Sequence, residues 1–235
     1  MSGSQHITKQ FDAELEAVRA RVLQMGGLVE EQIVGAIEAL TTGNIEQCER
    51  IIAADHRVNA LEVEVDEQCS RIIARRQPTA IDLRMLLAVI KTITDLERIG
   101  DEASKIARMA RALHQRDGLY LARHRDLRHV AEMAVDMLRK ALDAFARLDA
   151  SVTATVVRLD EHVDEEYKSM VRKLITYMME DPRTISSSLE ILWIVKAIER
   201  IGDHAKNMSE YVVYMVKGKD VRHVSADEIE REVGA

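Results

Sequence analysis

The pentapeptide Glu-Arg-Ile-Gly-Asp occurs twice in this chain, at 97–101 and at 199–203. Each copy carries an acidic pair four residues apart, Glu97 with Asp101 and Glu199 with Asp203. On a helix that spacing puts both carboxylates on one face, one turn from each other. Asp160 and Asp164 repeat the pattern upstream of the second copy, whereas Asp55, upstream of the first, has Asn59 as its partner. Carboxylates gathered this closely repel unless a cation sits among them. Hard divalent or trivalent ions that seek oxygen, Mg, Mn, Fe or Zn, suit such donors. Each copy also contains a glycine, Gly100 or Gly202, although glycine inside a helix costs about 1 kcal/mol relative to alanine. Close approach of a neighbouring helix or of a liganded ion would explain why that cost is borne twice. Arg98 and Arg200 allow a blander account, a solvated ion-pair network in which each pair contributes about 0.2–0.5 kcal/mol.

For these groups to meet, the elements that carry them must be long antiparallel helices. Breakers are sparse: GG at 26–27, TTGN at 41–44, QP at 77–78, DG at 117–118, LDAS at 148–151 and DP at 181–182. The spacing predicts six helices, over roughly 6–41, 45–76, 80–115, 122–148, 151–180 and 184–217. Thr79 with Asp82 is placed to cap the third and Ser151 the fifth. Val58, Leu61, Val65, Cys69 and Ile72 form an apolar stripe at helical spacing, and Met170, Met178, Met179, Met208 and Met215 read as gap fillers in the core. Folding the second and third helices back at Pro78 brings Asp101 level with Asp55 and Glu97 level with Asn59. A turn at Pro182 brings Glu199 and Asp203 opposite Asp164 and Asp160. Glu62 and Asp66 also read as an acidic pair but fall one to two turns farther along. His204 follows Asp203 and points about 100° away from it on a helix, which reads as a lone exposed histidine.

The ERIGDEA and ERIGDHA segments differ only at Glu102 and His204, and DHRVN at 55–59 corresponds to DEHVD at 160–164. This internal duplication makes the expected fold all-α, two tandem pseudo-repeated three-helix bundles, over 1–116 and 117–218, with a polar tail at 219–235.

Composition narrows the function. With 47% hydrophobic and 31% charged residues but 3% aromatics, the chain has the profile of a bundle of rods. A net charge of −7 with basic residues scattered among acidic ones gives no footprint for nucleic acid. The longest apolar runs, MLLAVI and ILWIV, fall far short of the roughly 20 residues of a membrane span, so direct membrane insertion is not expected. MSGSQHITKQ has no apolar signal region, and Cys48 and Cys69 form no CxxC, as expected of a cytoplasmic chain with two reduced, buried thiols. No ExxH, HExxH, GxSxG or P-loop occurs, and the expectation is a protein without enzymatic activity. A carboxylate-bridged metal-dependent oxidase, a metal-storage protein and a metal-free helical scaffold are the competing readings.

RRQPTAIDLRMLLAVIKTITDLERIGDEASKIARMA at 75–110, YMMEDPRTI at 177–185 and AIERIGDHAKNMSEYVVYMVKGKDVRHV at 197–224 resemble the PhoU family, and the likeness extends over nearly the whole chain. The resemblance implies two three-helix bundles with metal clusters at paired acidic motifs. Residue by residue these fall on Asp55, Glu97, Asp101, Asp160, Asp164, Glu199 and Asp203. It also implies a negative regulator of phosphate uptake and of the phosphate-starvation response, without catalysis. The implied partners are the ATPase subunit of a phosphate ABC transporter, a phosphate sensor histidine kinase and a second copy of the chain in a homodimer.

Overall fold

A computed structural model describes residues 2–117 and 126–234. It is helical throughout: α1 (Ser2–Thr42), α2 (Ile45–Arg76), α3 (Ala80–Asp117), α4 (Asp126–Arg147), α5 (Thr153–Glu180), α6 (Ile185–Lys217) and α7 (Ala226–Gly234), with a 3₁₀ turn at Pro182–Thr184. Six of these match the expected helices. The glycine of the DG breaker and positions 122–125 of the expected fourth helix lie outside the described residues.

Local chemistry fixes the connections. Asn44 caps α2 by accepting a hydrogen bond from the Gln47 N–H at 3.0 Å. At the other end Gln77 takes a left-handed conformation (φ 47°), and Pro78 follows, disfavouring continued helix. Thr79 precedes α3 and its hydroxyl donates to the Asp82 carboxylate at 3.1 Å, which joins the expected pair side chain to side chain. Ser151 does not cap α5. That helix begins at Thr153 with Val152 at its cap, and it is Asp149 that accepts from the Ser151 N–H at 2.9 Å, so the aspartate takes the turn-forming role.

Helices α1, α2 and α3 pack on one another, and so do α4, α5 and α6, which gives the two expected bundles. The bundles share one core, because α3 packs against α6 along much of its length and α1 runs against α4. The α2 stripe is buried at Val58, Val65, Cys69 and Ile72, with Leu61 at its margin. Met170, Met208 and Met215 are buried as expected, but Met179 is 79% exposed near the end of α5, where no helix covers it. The polar tail is structured: α7 packs on α5, burying Val221, Ala226 and Ile229, while Arg158 of α5 holds Asp227 and Glu230 at 3.0 and 2.6 Å. No described helix is long and apolar enough to cross a membrane.

Candidate metal centre

In the first half, α2 and α3 meet in the register expected from the turn at Pro78. A Cβ added to Gly100 would lie 3.2 Å from Gln32 Oε1, 3.4 Å from Val58 Cγ1 and 3.7 Å from Asp55 Oδ1. Gln32, on α1, is only 6% exposed, and neither its Oε1 nor Asp55 Oδ1 has a hydrogen-bond partner. One turn beyond Gly100 on α3, the hydroxyl of the fully buried Ser104 is also unpaired. Three oxygens removed from water without partners form a costly arrangement, on the order of 1–3 kcal/mol each. Glu97 is half-buried and Asp101 exposed. Burial and then the charge of Asp101 push the Asp55 carboxyl above its ordinary range. Burial pushes Glu97 up too, followed by Asp101, Glu62 and Asp55, with Arg98 opposing. Among the described residues none of Asp55, Glu62, Glu97 and Asp101 forms an ion pair. The cluster has charge and desolvation without a direct ion pair, the charges of Arg108 and Arg98 only partly offsetting them at Asp55 and Glu97.

The second half is built on the same plan with different side chains. A Cβ on Gly202 would lie 3.5 Å from the Met137 thioether and 3.6 Å from Val163 Cγ1, ordinary van der Waals contact. Close approach therefore accounts for Gly100 but not for Gly202, which corrects the expectation that one cause serves both. Lys206 Nζ donates to Asp160 Oδ2 and lies 3.8 Å from Asp203 Oδ1. Lys196 Nζ donates to both oxygens of Glu199 at 2.6 and 2.5 Å, and sits 5.2 Å above the Tyr167 ring. Lys168 lies 3.9 Å from Asp164. Burial alone would pull the Lys206 ammonium down, but the hydrogen bond and charge of Asp160 outweigh it and hold it above the usual lysine range. The four acids of this half all have lysine partners.

The carboxylates are thus neighbours within each half, as the duplication suggests. As they stand, no three His, Cys, Asp or Glu side chains among the described residues are placed to hold a metal ion. Sequence reasoning missed Gln32, Ser104, Lys196 and Lys206, while Glu62, set below Asp55, adds its charge at Glu97. The signal for the lysines lay in the repeat: aligning the two ERIGD copies sets Lys206 against Ser104 and Lys196 against Thr94. His204 is not a lone exposed histidine. Its Nδ1 lies 2.7 Å from Asp95 Oδ1 with both side chains largely buried, because α6 turns that face onto α3. Glu102, its counterpart, is also buried there, ion-paired with Arg200 at 2.6 Å and accepting a hydrogen bond from Lys105 at 3.2 Å. A groove of about 490 Å³ beside Asp203 is lined by Arg200, His204, Lys206, Glu210 and Arg222. Its arginines, Lys206 and His204 are each engaged by a carboxylate, Arg222 by Asp220 at 2.5 Å.

The sequence profile of the PhoU domain matches residues 22–110 and 127–212, one match in each bundle. The chain belongs to the PhoU family. Among its PhoU relatives, the phosphate-specific transport system accessory protein PhoU homolog of Pseudomonas putida is 47% identical over 228 residues, covering 97% of this chain and 89% of that protein. The phosphate-specific transport system accessory protein PhoU of Escherichia coli K12 is 46% identical over 230 residues, covering 97% and 94%. The fold matches the crystal structure of PhoU from Pseudomonas aeruginosa with a TM-score of 0.82 at 46% identity, over 89% of this chain and 100% of that one. It also matches the phosphate transport system regulatory protein PhoU from Streptococcus pneumoniae with a TM-score of 0.80 at 28% identity, over 90% and 99%.

Proposed function

We propose that the protein is an accessory regulator of phosphate-specific transport, restraining phosphate uptake and the phosphate-starvation response. It would do so as a cytoplasmic adaptor between the ATPase subunit of the transporter and a sensor histidine kinase. The observation that carries this reading is the continuity of the likeness: relatives named for that system align over 97% of the chain at 46–47% identity, through both bundles and both ERIGD segments. The fold suits an adaptor. Long helices fused through a common core hold distant faces in fixed relation, and two partners can bind such a body without deforming it. No sequence motif, and no side-chain arrangement among the described residues, calls for a reaction. A homodimer remains part of the proposal, since an adaptor that doubles its docking faces engages paired partners with higher avidity.

The metal component of the proposal rests on Asp55, Glu97 and Asp101: Asp55 has an unpartnered buried oxygen, burial acts on both Asp55 and Glu97, and the exposed Asp101 adds a third carboxylate of the kind hard divalent or trivalent cations accept. Bound there, such an ion would supply countercharge and tie α2 to α3. In the second half the corresponding set, Asp160, Asp164, Glu199 and Asp203, already carries lysines.

Deleting the gene should leave phosphate-starvation genes expressed in phosphate-rich medium, and the protein should co-purify with the transporter ATPase and the sensor kinase. Unchanged expression in the deletion strain would refute the regulatory role.

A further inference from the structure

The face of α5 and α6 turned away from α4 carries an apolar surface near the Pro182 turn. On α6, Ile185, Leu189 and Trp193 follow one another every four residues, and on α5 Ile175 and Met179 do the same. All of them are exposed, Trp193 by 52%. Their common direction is fixed by what lies opposite. Gly202 faces Met137 of α4 and, nine residues from Trp193, points half a turn away from it. Lys173 reaches Asp126 at the start of α4 and lies about half a turn from Ile175. The Lys196 ammonium over the Tyr167 ring sets the register of the two helices, and the turn at Pro182 then brings Ile175 level with Leu189 and Met179 level with Ile185.

The first half does not repeat this surface. Aligned through the ERIGD copies, Leu83, Leu87 and Lys91 stand where Ile185, Leu189 and Trp193 do. Aligned through DHRVN and DEHVD, Ser70 and Ala74 stand where Ile175 and Met179 do. Single exposed apolar side chains need no explanation, but a contiguous set confined to one of two copies does. Basic side chains border it. Lys168 and Arg172 continue the α5 stripe at spacings of four and three residues, and on the other side Lys105 of α3 lies 5.6 Å from the Trp193 ring, with Arg108 one turn farther along. Lys105 and Lys168 have acidic neighbours in Glu102 and Asp164, whereas Arg108 and Arg172, both exposed, have no ion pair among the described residues. Glu180 at the tip lies about 100° round the helix from Met179 and so off the stripe.

We propose that this surface is the docking site of an amphipathic helix with acidic flanks, presented by one of the protein's partners. The proposal rests on the adaptor reading above and deepens it. A helix laid along α6 would set its apolar stripe on Leu189 and Trp193, and its carboxylates would meet Arg108 on one side and Arg172 on the other. Trp193 offers the large, stiff contact area on which binding energy concentrates, and the flexible Met179 adapts to the partner's shape. The stripe runs about 12 Å from Ile185 to Trp193, the length of a two-turn helix contact. Farther along, the same face carries the half-exposed Asp164 and Asp203, which an anionic bilayer would repel. A two-fold pair of this chain through the surface would bring its basic borders together.

The test uses the full chain and a fluorescein-labelled helical peptide with leucine along one stripe and glutamate on both flanks, followed by anisotropy beside a copy with lysine flanks. Wild type should bind the glutamate peptide about tenfold more tightly than the lysine peptide, with affinity falling as salt rises. Leu189→Gln and Trp193→Gln, both at exposed positions and checked for helix content by circular dichroism, should each weaken binding about tenfold or more, and Arg172→Glu about threefold. Leu87→Gln, at the corresponding place in the first half, should leave it unchanged. Equal binding of the two peptides, or an equal loss in Leu87→Gln, would overturn the proposal. The purified transporter ATPase subunit and sensor kinase are then bound in turn to the same variants, and at least one should lose affinity for Leu189→Gln and Trp193→Gln. If either binds wild type and both variants alike, the adaptor reading stands and the docking site falls. If neither binds wild type, the adaptor reading falls and takes the docking site with it. Trp193-dependent binding to phosphatidylcholine–phosphatidylglycerol vesicles without peptide binding, or a Trp193-dependent dimer in sedimentation, would assign the surface to lipid or to a second copy and overturn the partner named here.

Discussion

The two bundles share a backbone plan and differ in how they settle the same electrostatic problem. Around Asp160 the chain supplies a hydrogen-bonded ammonium from the next helix; Asp55 has no such ion pair, and its Oδ1 has no hydrogen-bond partner. A second exchange follows one turn farther along α3 and α6, where the exposed Arg108 of the first half, whose charge favours ionised Asp55, corresponds to the buried Glu210 of the second. Duplication preserves where side chains point, because helix register and the position of the turn survive it. It does not preserve which charges are placed there, and a handful of substitutions suffices to give equivalent positions different chemistry.

The largest effect expected from this comparison is at Lys206. Lys206→Met should destabilise the protein by on the order of 3 kcal/mol in urea unfolding at neutral pH, because it strands the buried Asp160 carboxylate. Ser104→Ala at the corresponding place should stabilise by about 1 kcal/mol, since it removes a buried hydroxyl without a partner. Equal and small effects at both positions would erase the distinction between the halves.

Next in size is the pH dependence set by Glu210, whose carboxyl is pushed up to about 7, chiefly by burial. An acid with a raised folded-state pKa binds more protons folded than unfolded. Its contribution is therefore intact below about pH 4.5 and declines as pH rises toward 7, by roughly 3 kcal/mol. Glu210→Gln should flatten stability across that window, and a slope identical to wild type would show that Glu210 does not titrate there. Asp55 and Glu97, also raised, weaken the first half in the same direction. Their share should be recovered by saturating Mn²⁺ at neutral pH and should vanish as the carboxylates protonate, which melting temperatures measured with and without the ion at both pH values would show.

The smallest effect concerns the glycines. Gly202→Ala should stabilise by up to about 1 kcal/mol, since the helix gains and the contacts at 3.5–3.6 Å already accommodate a methyl group. Gly100→Ala should gain less or lose, because a methyl group there would crowd Gln32 Oε1 at 3.2 Å.

Much of this was legible in the sequence. Six helices, the two bundles and the hairpin register follow from apolar spacing and from Pro78 and Pro182, because long amphipathic helices leave few ways to bury their stripes. The meeting of Asp55 with Asp101 needs no more than that register. What local pattern could not supply was the third helix at each site. Gln32 lies far from the motif in sequence, and nothing in its own neighbourhood marks it as buried and unpaired. His204 was misread for a related reason: its burial depends on α6 lying against α3, a contact between the halves that no amphipathic pattern within one helix specifies. The polar tail forms a helix because α5 offers it an apolar surface and a basic anchor in Arg158.

The placement of a few rare side chains gives the molecule two intrinsic reporters. Both cysteines lie on α2, free and fully buried, and burial raises the Cys69 thiol to about 12, so alkylation requires that helix to open. The single tryptophan, Trp193, lies on α6 with the Lys105 ammonium of α3 at 5.6 Å from its ring, so its emission senses whether the halves are docked. Thiol trapping and fluorescence, followed on the same unmutated sample, would tell whether the first bundle breathes alone or only when its twin lets go.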